Sequence, residues 1–232
     1  MGFIAESVRK ALLLILSGSP DVVSAVWTSL VVAASSIVLA SLLGVPAGIC
    51  IGAGEFPLKR ILLVSLNSLM AMPTVVVGLL VYALISRQGI LGSWNLLFTP
   101  AGMVMGLTLL AVPIVANYSV SAVRGADSRI VSTALTLGAT RIQSLLQLTR
   151  EVRFGILAAI IAGFGRVISE VGAAMMLGGN IRGYTRTMTT AIALETNKGE
   201  FAYGLALGII LMGMSSAINA LLTVVQEKRR CS

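Results

Sequence analysis

Five apolar runs, at residues 23–51, 61–85, 102–123, 154–177 and 201–225, leave this chain few ways to fold. A hydrocarbon core about 30 Å thick is crossed by roughly 20 residues of helix, so each run is long enough to span it. In hydrocarbon a helix satisfies its own backbone polar groups, which makes helices the expected form of all five. The composition agrees: 56% of the 232 residues are hydrophobic and 11% are charged, against roughly half and a quarter in soluble domains. The expected fold class is therefore an all-α, multi-pass integral membrane protein with about five core transmembrane helices, embedded in membrane lipid.

Residues 1–20 read as a short N-terminal helix and linker. Glu6, Arg9 and Lys10 precede a brief apolar stretch at 11–16 with no clear small-residue cleavage site, so a retained, interfacial helix is expected rather than a cleaved signal. Residues 21–228 then form one membrane domain.

The basic residues set its orientation. Lys59 and Arg60 lie in the first connection, Arg124, Arg129, Arg141, Arg150 and Arg153 in the third, and Lys228, Arg229 and Arg230 in the tail. These positions alternate along the chain and mark the cytoplasmic side; Arg87, Arg182, Arg186 and Lys198 fall opposite and weaken the bias. The net charge of +8 is thus a matter of topology, and no nucleic-acid surface is implied.

Several chemistries are excluded. There is no histidine, and Cys50 and Cys231 have neither disulfide nor metal-ligand spacing. No lysine sits in a phosphate-cradling Gly-Lys-Ser/Thr setting, so the chain is expected to carry no cofactor of its own and not to hydrolyse ATP by that route; any ATP drive would come from a partner. Pro46, Pro73 and Pro113 fall inside the runs, where each frees a backbone carbonyl and is expected to bend its helix.

Two stretches carry candidate function. The first is the third connection, about 124–153, where Ser132, Thr133, Ala134, Gly138, Ala139, Thr140 and Arg141 are followed by Ile142, Leu145, Leu146 and Leu148 at helical spacing. That pattern predicts two short amphipathic helices turning at Gly138, since glycine tolerates the left-handed backbone such a turn requires. The second is the fourth run, where Arg166 and Glu170 stand one helical turn apart. The pair reads first as a structural lock between helices, and second as a lining of a path where Arg166 meets an anion. Downstream, residues 178–190 supply many hydroxyl and guanidinium donors, a surface suited to an oxyanion or a polar loop bonded to its own backbone.

The Gly138 segment resembles the coupling loop of ATP-binding-cassette importer permeases: Thr133, Ala134, Gly138 and Ala139 match in register. Ser132 replaces the usual glutamate, and Arg150-Glu151 stand where Leu-Pro is usual. Ala162-Gly163-Phe164-Gly165-Arg166, the run 168–173, Gly178-Gly179-Asn180-Ile181-Arg182-Gly183 and the stretch 189–201 resemble the tungstate-type branch, near the molybdate and sulfate permeases. The resemblance implies a type I importer permease fold and a homodimer with one path at its interface. It also implies two ATPase subunits that bind ATP and Mg, and an extracytoplasmic binding protein that delivers the anion. The candidate path residues on this reading are Pro73, Thr74, Arg166, Ser169, Glu170 and Asn180. Molybdate, sulfate or phosphate permeases are the neighbouring readings, and a self-contained secondary transporter built around the Arg166–Glu170 pair is the more distant one.

Overall fold

A computed structural model describes residues 2–127 and 129–227 of the chain; Lys228, Arg229, Arg230 and Cys231 lie outside the described residues. The ordered elements among these residues are helices: α1 (Gly2–Leu16), α2 (Pro20–Ala53), α3 (Lys59–Met70), α4 (Thr74–Ile85), α5 (Pro100–Arg124), α6 (Arg129–Thr136), α7 (Arg141–Glu151), α8 (Arg153–Ile168), α9 (Gly172–Gly178), α10 (Met188–Lys198) and α11 (Phe201–Glu227).

The centre of the fold is a pair of parallel helices, α2 and α5. Ser36 Oγ donates to Val104 O at 3.3 Å, and Thr108 Oγ1 donates to Ser36 O at 3.4 Å. Farther along, Gly44, Gly48 and Gly52 repeat every fourth residue on the α2 face that meets α5. A Cβ added at Gly48 would lie 2.5 Å from Ala116 O, so only glycine allows the two backbones this close. Small residues at such a stripe let van der Waals contact hold helices together where lipid removes the hydrophobic drive. α8 packs antiparallel on this pair, with Gly155 against Ala122 and Gly163 against Ile37 and Val115.

Among the described residues, α2, α5 and α11 alone run unbroken across a membrane-sized length. The runs at 61–85 and 154–177 do not form straight helices: α3 and α4 meet at 96°, and α8 and α9 at 63°. Pro73 accounts for the first break, having no N–H to continue α3. Pro46 and Pro113, by contrast, lie inside the continuous α2 and α5. Neither proline interrupts its helix. The second break contains no proline. There the carboxylate of Glu170 accepts from the backbone N–H of Ala173 at 3.3 Å, starting α9 afresh.

The outer half-helices then pack together, with Gly78 of α4 against Ala173 of α9. Phe98 N–H donates to Leu177 O at 2.8 Å, tying the connection before α5 to the end of α9. α1 packs along α11, and its Glu6, Ser7 and Lys10 line a small pocket with 199–202 at the outer end of α11.

Candidate functional site

On the basic side, α6 and α7 form a projecting helix hairpin. The α6 end closes with Gly138 N–H donating to Leu135 O and Ala139 N–H donating to Ala134 O, each at 3.0 Å, while Gly138 sits at φ +87°. This is the left-handed helix closure that glycine favours. α7 restarts at once: Thr140 Oγ1 accepts from Gln143 N–H at 3.3 Å, and Gln143 Oε1 accepts from Thr140 N–H at 2.8 Å. Leu148, Val152 and Ile156 anchor the hairpin on Ile49 and Val123. The tip faces outward, with Leu137 83% and Ile142 72% exposed. Ser132, Thr133, Gly138, Thr140 and Arg141 are exposed around it, and Ala134 and Ala139 are half-buried. Ser132 Oγ donates to Arg129 O at 3.0 Å within its own helix, so it does not project as a glutamate would.

At mid-depth the two breaks face each other. A Cβ built on Gly172 would lie 3.6 Å from Glu170 Oε1 and 3.7 Å from Thr74 Oγ1, which brings the residues after Pro73 and after Ser169 to one place. Arg166 Nη1 is 3.0 Å from Glu170 Oε2. Ser169 Oγ donates back to Gly165 O and Arg166 O at 2.9 and 3.0 Å and helps end α8. Arg166 lies about 20 Å along α8 from its start on the basic side, farther than its own side chain can extend.

Pro73, Thr74, Arg166, Ser169 and Glu170 are thus gathered at the breaks; Asn180 is not. It sits at φ +53° in the outer connection, donating through Nδ2 to Thr190 O at 3.3 Å, with Oδ1 buried and unpartnered.

That outer connection is folded inward. Met188 N–H donates to Ser29 Oγ at 2.7 Å, and Ser29 lies about 13 Å down α2 from Pro20. Thr189 Oγ1 donates to Glu170 O at 2.8 Å, joining the connection to the α8–α9 break. Thr185 donates to Gly178 O, Thr187 and Thr190 cap α10, Arg182 pairs with Asp21, and Arg186 lies 3.5 Å from Glu195. Most of the donors that suggested an oxyanion surface are bonded to the protein's own backbone and acids; Arg186 Nε is buried without a partner among the described residues.

Two residues that the sequence reading missed belong with the breaks. Asn117 of α5 donates to Asn67 Oδ1 of α3 at 2.8 Å and lies 3.0 Å from Met70 Sδ, holding the inner half of the broken run against the central helices. An asparagine inside an apolar run was the available signal.

Three to five spans, two of them broken, with a capped helix hairpin on the basic side, define an importer permease of the type I fold. A chain of the inward-facing MetNI methionine ABC transporter superposes with a TM-score of 0.72 at 17% identity, covering 88% of this chain and 94% of its own. The chain belongs to the family of binding-protein-dependent transport system inner membrane components, whose pattern matches residues 44–230. Among its relatives, the tungstate uptake system permease protein TupB of Peptoclostridium acidaminophilum is 38% identical over 98% of this chain and 100% of its own length. The protein of the same name from Campylobacter jejuni is 38% identical over 94% of this chain and 92% of its own. This protein is a multi-pass inner-membrane component of an ABC import system.

Proposed function

We propose that the chain is the translocating subunit of a tungstate importer, working as a homodimer with two ATPase subunits on the cytoplasmic face and an extracytoplasmic binding protein outside. The observation that carries the coupling role is the α6–Gly138–α7 hairpin, an outward-facing, rigidly capped element with apolar Leu137 and Ile142 at its tip. Exposed apolar groups in a polar rim mark a docking surface. The substrate reading is supported by the names of relatives matched over nearly the full chain.

In this reading ATP and Mg are bound by the partner ATPase. Closure of the paired ATPases shifts the hairpins and opens the path to the outside; hydrolysis returns it inward. The path runs past the breaks at Pro73–Thr74 and Ser169–Glu170, beside Arg166, with Asn180 supporting its outer end. Broken helices suit that task, since irregular backbone at membrane depth is tolerated where it lines a cavity or is covered by protein.

Gly138→Val is the direct test. A Cβ there meets nothing within 4 Å, so the damage is confined to the φ +87° turn, which a β-branched residue resists. In proteoliposomes holding the whole complex, tungstate uptake and binding-protein-stimulated ATPase activity are both expected to fall at least tenfold. Unchanged values for both would remove the hairpin from coupling. Titrating the partner binding protein with tungstate, molybdate, sulfate and phosphate tests the substrate.

A further inference from the structure

The Arg166–Glu170 pair is unequal. Glu170 is held from every side: Oε1 accepts from Ala173 N–H, Oε2 faces Arg166, the carbonyl accepts from Thr189 Oγ1, and the N–H donates to Val167 O at 3.1 Å. Its side chain is 4% exposed, whereas that of Arg166 is 45% exposed. A guanidinium offers five N–H donors, and among the described residues that of Arg166 has one partner, Glu170. A lock between helices would bury both ends of the pair. Here the acid is buried and the base faces an open side of the single chain, part-way along a spanning element, where contact with lipid is costly for an arginine.

The middles of the spanning elements carry no other charge among the described residues. Uncommitted planar donors match an oxyanion well, because two of its oxygens can each accept one N–H bond from the fork in parallel. The carboxylate behind the fork has the opposite effect: it cancels the local charge and competes for the same donors. A transport site has to release what it captures, so binding there must stay weak.

We propose that Arg166 is a mid-membrane contact for the translocated oxyanion, and that Glu170 is a positioning residue that aims the guanidinium and keeps the anion from being trapped. This rests on the oxyanion-importer reading, and the test separates the two. Import of tungstate by the wild-type complex, fed by its binding protein in proteoliposomes, examines that reading alone.

The proposal is examined by equilibrium dialysis of purified complexes against sodium tungstate, with bound tungsten measured by mass spectrometry and sulfate as a comparator. Glu170→Gln keeps the shape and the bond to Ala173 but removes the competing charge. It is expected to retain at least ten times more tungstate than wild type and to transport more slowly. The double variant R166Q/E170Q is expected to lose that retention and to import at least tenfold less than wild type, with an unchanged melting temperature. Equal retention by wild type and E170Q would overturn the proposal, as would retention that survives R166Q/E170Q, or uptake by the double variant within twofold of wild type. If glutamine at 170 prevents assembly, Arg166→Lys replaces it, since the ion pair is kept and the planar fork is lost. A threefold or larger fall in uptake at unchanged melting temperature supports the assignment, and unchanged uptake overturns it.

Discussion

At the residue scale the fold depends on what is missing at Gly48. The atom a side chain would add falls 2.5 Å from a backbone carbonyl, and a carbonyl in a continuous helix cannot turn aside as a flexible side chain would. Gly48→Ala is expected to destabilise the complex by about 1–3 kcal/mol, the usual range for overpacking, and Gly48→Leu to prevent assembly. A detergent thermal-shift series through Gly48, Ala and Leu, with Gly208, beside which nothing lies within 4 Å, as the control, checks this. The same stripe was present in the sequence as glycines at every fourth position from 44 to 52. Which helix it faces was not, because α5 is separated from it by the whole of α3 and α4.

At the scale of elements, the α6–α7 hairpin begins with a small electrostatic clamp. The guanidinium of Arg129 and its backbone N–H both donate to Asp127, at 2.9 Å, and hold its carboxyl below the usual carboxylate range. A carboxyl with a lowered folded pKa contributes stability above its unfolded value, and that contribution is lost as pH falls through the folded one. The clamp therefore holds at neutral pH and releases only below about pH 4. Hydrogen exchange at 129–132, corrected for intrinsic rates, is expected to quicken below that pH in wild type. In Asp127→Ala it should already be fast at pH 7. No difference between the two proteins at pH 7 would show that the clamp does not order α6.

The broken runs teach a different lesson at this scale. The break at Pro73 was legible as a proline, although Pro46 and Pro113 carried the same signal and gave no break. The break at Ser169–Val171 had only a Ser-Glu pair ahead of a glycine, which reads as a continuous apolar helix until the Glu170 carboxylate is seen on the Ala173 N–H.

For the whole molecule, the arrangement of connections fixes two faces. Residues 54–58, 125–127 and 129–152 lie at one end; 86–99 and 178–187 lie at the other, joined to the start of α2 by Arg182 and Asp21. With Cys50 and Cys231 replaced, a cysteine at Leu137 should react with a membrane-impermeant maleimide only in inside-out vesicles. A cysteine at Tyr184, which is also exposed, should react only in right-side-out cells. Labelling of both from one side would reverse or break the topology.

The sequence by itself determined the solvent, the places where the chain is apolar enough to cross, the end that carries the basic connections and the Gly138 turn. Each of these follows from local quantities: run length against bilayer thickness, basic residues in short connections, and the backbone freedom of one residue. The tertiary structure alone decided which helices touch, where two spans break, and that Thr185, Thr189, Arg186 and Arg182 are engaged by Gly178, Glu170, Glu195 and Asp21. Those outcomes depend on partners far along the chain, and a hydrogen-bond donor reads the same in a sequence whether its acceptor is a passing anion or a backbone carbonyl of the same protein.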